Sequence, residues 1–292
     1  MAAGFHVSLL VADGKGQELR DGVHVSDIGK ISFRPIRILL GPLLAFFYVI
    51  RKRPTLVHLH DPELLVVGLI LRFLGVRVIY DAHEDLPEQI KRKHWIPRVV
   101  RKPTSFLAKF SLGFLLLGYD AVITATDGIA LKIRSKRVVV VKNYPILLEF
   151  DHIDPKAGKN LQFCYVGGIT VERGAVAMIE SLPYGPARLA LAGNYVPDHL
   201  PKQLKELQNW DRVDELGFLS REGVAALYAE SLAGVVVLQG GQGFEETLPI
   251  KLFEYMAASL PVICSDFPMW REIVNEAKCG LVVDDADMAS IQ

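Results

Sequence analysis

Two carboxylates eight positions apart, Glu246 and Glu254, flank Lys251 in the stretch GGQGFEETLPIKLFEYMAASLPVICSDFP, which runs from Gly240 to Pro268. The stretch reads as a glycine-rich loop, a helix over roughly 249–259 and a buried strand over 261–265. A glycine loop leading into a helix N-terminus offers free backbone N–H groups to an anion. Pro249 suits the first helical turn, because its missing N–H has no partner there anyway. The carboxylates cannot serve the same anion, but they can accept from hydroxyl groups. Phosphates and hydroxyls on one ligand suggest a nucleotide sugar.

Further polar residues fall just after apolar, strand-like runs, the address at which open parallel sheets hold ligands. LVHLH ends in His60 and runs into Asp61, and VIYDAHED delivers Asp81, His83, Glu84 and Asp85 after Tyr80. YVGGITVERG puts Gly167 and Gly168 after a strand and Arg173 just before a helix, and LALAGN ends near Gly193. A single histidine at a strand end is more often a structural hydrogen-bonder than a catalyst. The shared address is what raises these residues to candidates. His58 and His60 lie on one strand face, and His83 with Glu84 would complete a metal set. No His-Glu-x-x-His helix or cysteine cluster supports one, and no metal is expected.

Other chemistries lack their patterns. There is no Gly-x-x-x-x-Gly-Lys-Ser/Thr loop, no Gly-x-Gly-x-x-Gly after a first strand and no Gly-x-Ser-x-Gly elbow. The basic run KRKHW at 91–95, with Arg98, Arg101 and Lys102 beyond it, has no nucleic-acid module around it. An acidic membrane surface is the better partner, and no nucleic acid is expected.

The elements that must position these groups follow from periodicity. Short β-branched runs alternate with helix-length segments, which implies parallel sheets covered on both faces. Strands are expected at 6–12, 56–60, 76–80, 121–124 and 138–141. After a polar segment at 151–160, read as a linker, the pattern restarts with strands at 161–166, 188–192, 234–238, 261–265 and 281–283. Helices are expected at 62–74, 174–182, 198–209, 221–232 and 268–277. The fold class is therefore α/β, with two doubly wound Rossmann-like domains facing each other, 1–145 and 146–292. The run Ile38 to Ile50 is too short for the ~20 residues that span a bilayer. It is expected to be a buried helix interrupted at Gly41-Pro42, with a helix lying in a membrane interface as the alternative.

Half of the 292 residues are hydrophobic and 23% are charged, which excludes a disordered chain. The formal net charge is zero but unevenly spread. Residues 1–150 carry 22 Lys and Arg against 13 Asp and Glu, a net +9, and the remainder carries −9. Such asymmetry suggests that the first half faces something anionic. Cys164, Cys264 and Cys279 are widely spaced in apolar runs, which fits a reducing cytoplasm.

HLHDPELL, IYDAHEDLPEQI, YVGGITVERG and above all KLFEYMAASLPVICSDFPMWREIV together resemble the family 4 glycosyltransferases, and the blend looks most like the bacterial transferases of surface-polysaccharide assembly. The resemblance implies the GT-B fold, with a C-terminal domain for the nucleotide-sugar donor, UDP- or GDP-linked, and an N-terminal domain for a glycan or lipid-linked acceptor. It implies retention of anomeric configuration, no cofactor and no metal. Carried onto this sequence, Glu254 resembles the ribose-binding glutamate, with Leu252 beside it in the same motif, and Glu246 falls at the spacing of the glutamate that contacts the donor sugar. Glu245 is the alternative to Glu246, which is followed here by Thr247 rather than the glycine of many relatives. Arg173 and Lys251 resemble the basic residues at the diphosphate, beside Gly167 and Gly168. Gly217, Phe218 and Leu219 resemble the stretch that reads the base. His83 resembles the catalytic histidine of the N-terminal domain, with His60, Asp61 and Glu84 on the acceptor side. Relatives begin before the element that AGFHVSLL resembles and continue past CGLVVDD, so the chain is expected to lack both ends. A cytoplasmic protein, peripheral on the inner face of the cell membrane, is the implied setting. A silent nucleotide-sugar-binding protein and a sugar-nucleotide epimerase of the same architecture are the alternatives.

Overall fold

The computed structural model describes residues 4–20, 22–83, 85–92, 96–154, 158–183, 185–241 and 244–284, without the side chains of Arg34, Arg92 and Glu246. The chain divides into two compact units, residues 1–142 and 143–292.

The first unit opens with strands β1 (Ser8–Val11), β2 (Glu18–Arg20) and β3 (Val23–Asp27), a small sheet of order β1-β3-β2 in which β2 runs antiparallel to β3. The second and third strands were not expected, because three exposed residues in β2 leave no apolar alternation to read. Helix α1 (Arg34–Lys52) then runs unbroken through Pro42, where an interruption was expected. Its outer face carries exposed Leu39, Leu43 and Phe47, so the expectation of burial is corrected as well. Water can satisfy the carbonyl that Pro42 cannot pair on such a face.

Four parallel strands form the main sheet, in the order β4 (Leu56–Leu59), β5 (Arg77–Ala82), β6 (Ala121–Thr124) and β7 (Val138–Val140). Between them lie α2 (Leu65–Phe73, entered through a 3-10 turn), α3 (Leu86–Arg92), α4 (Arg98–Leu115) and α5 (Asp127–Ala130). Strand alternation sets which side chains go inward. Val57, Leu59, Val78, Tyr80 and Ala82 are buried with Leu71, Leu116 and Tyr119. The opposite face of the same two strands presents His58 and Asp81, with His60 and His83 following at their ends.

The second unit holds six parallel strands in the order β10-β9-β8-β11-β12-β13. These are β8 (Gln162–Val166), β9 (Arg188–Ala192), β10 (Val213–Gly217), β11 (Ala233–Val236), β12 (Val262–Ser265) and β13 (Gly280–Val283). In chain order the strands run outward one way from β8 and then outward the other way from β11. Helices α6 (Ala175–Glu180) and α7 (Leu200–Leu204) pack one core with Leu189, Leu191 and Val235. Helices α8 (Arg221–Glu230), α9 (Ile250–Ala257) and α10 (Pro268–Ala277) pack the other around Tyr255 and Trp270.

Three differences from the sequence reading have physical causes. The helix expected over 198–209 covers only α7, and β10 follows it unforeseen. Its outward half, Glu215, Leu216 and Gly217, is exposed, so no buried run marks it. The supposed linker at 151–160 reaches into the core at Ile153, just after buried Phe150, which stacks on Tyr228 with centroids 5.8 Å apart. Pro249 precedes α9 as its cap residue instead of occupying its first turn.

In the first unit Tyr119 donates from its hydroxyl to the Leu65 carbonyl at 2.6 Å, in a site almost closed to solvent. A Cβ on Gly68 would lie 2.1 Å from that hydroxyl, so the close approach of α2 needs glycine there. Tyr119→Phe should lower the unfolding free energy by about 1 kcal/mol, the net worth of one buried hydrogen bond. Gly68→Val should cost more, about 1–3 kcal/mol from overpacking. Urea denaturation of the two variants should reproduce that order.

Candidate functional site

The strand order of the second unit reverses between β8 and β11, and in open parallel sheets ligands settle beyond the strand ends at such a point. Gly167 and Gly168 leave β8 there. The three strand ends are laced by backbone hydrogen bonds: Gly167 N–H donates to Ala192 O at 2.8 Å, and Gly193 N–H to Gly217 O at 2.7 Å. Gly193 has φ of 140°, and a Cβ on it would sit 1.8 Å from the Gly167 carbonyl oxygen. No other residue fits that approach. On the β11 side, Gly174 caps α6 with φ of 77°, and its Cβ would meet Val237 O at 1.8 Å. Gln239 N–H donates to Glu172 O at 2.9 Å, tying the two flanking loops together.

Two cations converge on this turn. A Cβ added to Gly168 would lie 3.3 Å from Arg173 Nη1, and one added to Gly167 would lie 3.6 Å from Lys251 Cε. Arg173 is exposed, and Tyr165 supports the turn from beneath by donating to Gly168 O at 3.0 Å. Burial pushes the Tyr165 phenol above its ordinary value, with the Arg173 guanidinium pulling the other way.

Lys251 Nζ donates to Glu254 Oε2 at 2.7 Å, and Tyr228 donates to the same oxygen at 3.2 Å. Arg221 Nη1 donates to Glu254 Oε1 at 3.2 Å. Burial alone raises the Glu254 carboxyl; the Lys251 charge and hydrogen bond, then Arg221, outweigh it and hold the group below its ordinary 4.5. Arg221 is itself anchored by Glu149 through Nε at 3.0 Å. Sequence reading missed Arg221, Tyr228 and Glu149. Only the N-cap serine before Arg221, Ser220, which accepts from Gly223 N–H, marks that helix start.

The remaining expected donor residues divide. Gly217 ends β10 with φ of 63°, and Phe218 after it is 81% exposed. Leu219 packs against the core at the start of α8, and Leu252 is completely buried, so a part for either in binding a ligand is left to its backbone. Glu246 ends a short 3-10 turn over Phe244–Glu246, and its side chain lies outside the described residues. Its neighbour Glu245 accepts from Gly241 N–H.

In the first unit, His58, His60, Asp81 and His83 share one sheet face. Asp81 Oδ2 lies 3.3 Å from His58 Nε2 and 3.6 Å from His60 Nδ1, and Oδ1 lies 3.0 Å from His83 Nδ1. The rings of His58 and His60 stack at 4.5 Å, and those of His60 and His83 at 5.2 Å. Burial and then His58 hold the His60 imidazole below its ordinary value, against the pull of Asp81. Asp61 is exposed at the cap of the next turn, and Glu84 lies outside the described residues.

Two family models account for nearly all of the chain: a glycosyl transferase 4-like domain over residues 1–144 and glycosyl transferases group 1 over 149–292. This chain is a group 1 glycosyltransferase. It transfers a sugar from a nucleotide-sugar donor. No curated protein matches by sequence.

Solved structures of the GT-B fold superpose on this glycosyltransferase along almost its whole length. Sucrose-phosphate synthase from Thermosynechococcus elongatus matches with a TM-score of 0.71 at 18% identity, covering 99% of this chain and 78% of that one. WaaG, a glycosyltransferase involved in lipopolysaccharide biosynthesis, matches with a TM-score of 0.69 at 14% identity, covering 99% and 81%. HepE of Anabaena, solved in complex with UDP, matches with a TM-score of 0.68 at 16% identity, covering 98% and 88%.

The depressed Glu254 carboxyl makes stability depend on pH. Its contribution is complete above 4.5 and is lost as pH falls through the lower folded value. Glu254→Gln should therefore be less stable than the native chain near neutral pH, and the gap should close in acid. Thermal unfolding of both proteins across that range reads the difference.

Proposed function

We propose that the transferase retains anomeric configuration and needs no metal for transfer, and that it uses a UDP- or GDP-sugar and a lipid-linked glycan acceptor in surface-polysaccharide assembly. The observation that carries the donor half is the pair of cations, Arg173 and Lys251, at the Gly167–Gly168 turn where the strand order reverses. Cleavage of the sugar–phosphate bond leaves a diphosphate dianion and a cation-like sugar. Fixed positive groups at the diphosphate stabilise the charge as it develops, which is the largest usual catalytic contribution. Two cations on the protein fill the part that a divalent ion plays elsewhere. Glu254 takes the ribose hydroxyls through the lone pairs its three donors leave open, Gly217 and exposed Phe218 meet the base, and Glu246 or Glu245 meets the sugar. The departing phosphate assists attack from its own face. His83, with His60, Asp61 and Glu84, serves the acceptor.

Features of the first unit support a membrane-bound acceptor. Helix α4 carries Arg98, Arg101, Lys102 and Lys109 and no acidic residue. Val99, Phe106, Phe110 and Phe114 form an exposed stripe along it, each at least 70% exposed. Aromatic residues beside lysine and arginine suit the interface of an anionic bilayer. Among the described residues no helix is long and apolar enough to cross a membrane, so contact at the surface is the mode proposed. A cavity between α4 and the strand ends is lined by Leu86, Leu112 and Leu116 with Lys109, Lys132 and Arg134 and with Asp85 and Glu88, Asp85 pairing Lys132 at 2.9 Å, which suits an amphiphile with a polar head. HepE supports UDP through its own complex, and WaaG supports the polysaccharide setting through its own pathway.

Calorimetric titration with UDP and GDP tests the donor half. Arg173→Ala should lose charged hydrogen bonds worth about 1.5–3 kcal/mol, or roughly ten- to a hundredfold in affinity. Glu254→Ala should also weaken binding, and EDTA should leave nucleotide binding by the native chain unchanged. Equal binding by the native chain and both variants would overturn the site. For the acceptor half, Phe110→Glu should reduce sedimentation with anionic vesicles at low salt.

A further inference from the structure

We infer that His58, His60 and Asp81 form a binding site for a borderline transition-metal ion of the zinc class, separate from the donor chemistry. The argument begins with register. Parallel pairing sets His58 opposite Ile79 and Leu59 opposite Tyr80, which carries His60 to the level of Asp81. Both strands turn their even-spaced partners inward, so His58, His60 and Asp81 share the other face. A His-x-His on one strand and a carboxylate on its neighbour then converge without any help from a loop.

The two distances from Asp81 fit an ion. Metal bonds of about 2.0 Å at a tetrahedral centre put ligand atoms about 3.3 Å apart. Asp81 Oδ2 stands 3.3 Å from His58 Nε2 and 3.6 Å from His60 Nδ1, and the three ligand atoms all lie within 4.8 Å of one another. Direct charge-assisted hydrogen bonds would be shorter, about 2.7–2.9 Å. His83 stands at 3.0 Å from the other oxygen, Oδ1, so it orients the carboxylate and leaves Oδ2 to face the two imidazoles. Such an outer partner is a usual companion of metal ligands. The rings of His58 and His60 are 37% and 49% exposed, so each can turn its lone pair onto an ion without disturbing the core.

The ligand set decides the class. Two imidazole nitrogens and one carboxylate suit zinc or cobalt, whereas magnesium and calcium prefer sites made of oxygen. Three protein ligands leave a fourth position open. An ion there joins the two strand ends around Asp81 and takes up His60.

The full chain, stripped with EDTA and dialysed, should be titrated with Co2+ while the visible absorption of the tetrahedral ion is followed. The site predicts one Co2+ per chain, displaced by Zn2+ and not by Mg2+. His58→Ala and Asp81→Asn should each weaken binding by roughly tenfold or more, with unchanged circular dichroism showing that they fold. Absence of saturable binding, or equal affinity in both variants, overturns the site. Nucleotide titration of the same preparations keeps this result apart from the donor reading, since the metal ligands lie in the first unit.

Discussion

A carboxylate almost closed to solvent is tolerable only when its charge is answered, because an unpaired buried charge costs several kcal/mol. Glu254 meets that condition through Lys251, Arg221 and Tyr228, and much of the second unit depends on it. The three donors come from two helices, α8 and α9, and so the carboxylate fixes one helix against the other. Arg221 carries the constraint on to Glu149, in the segment that enters the unit, and lies 5.7 Å from the Phe150 ring centroid. Lys251 carries it to the strand-end turn at Gly167. One buried charge thus links the core packing of Tyr228 and Phe150 to the exposed edge where a donor's phosphates are bound in our reading.

That linkage gives the site a defined resting arrangement. Lys251 is not a free cation awaiting a ligand; its ammonium is already engaged. A diphosphate arriving at the turn adds a second acceptor to a group that has three donors. Glu254 is likewise oriented before any hydroxyl reaches it. Preorganised groups need little rearrangement as charge develops, and this is why fixed dipoles and charges outperform mobile ones in catalysis.

Alternation and length made most of the architecture legible from sequence. The strands at 121–124 and 188–192 and the helix at 268–277 came out with the bounds the structure has, because each is a clear apolar run between turn residues. What escaped was β2 and the exposed end of β10, which bury no face, and β3, which buries only Val25. The donor residues were legible as motifs, but their partners were not. Arg221 looks like any basic residue at a helix start, and Tyr228 looks like a core aromatic; only folding brings them to Glu254. The histidines were legible as a set on one strand face, whereas the position of Asp81 between them depends on inter-strand register, which no single segment records.

The glycine lacing has an evolutionary side. With Gly193 and Gly174 each a would-be methyl from a carbonyl oxygen, at 1.8 Å, the floor of the strand-end turn admits no side-chain variation. If this edge is the donor site, as proposed, diversification toward new donors is confined to what stands on that floor. The exposed ring of Phe218 and the hydroxyl of Tyr195, which donates to Glu215 at 2.7 Å, are substitutable without touching the backbone beneath. The turn is therefore a fixed chassis, and the surrounding rim is where heritable change in specificity has room to accumulate.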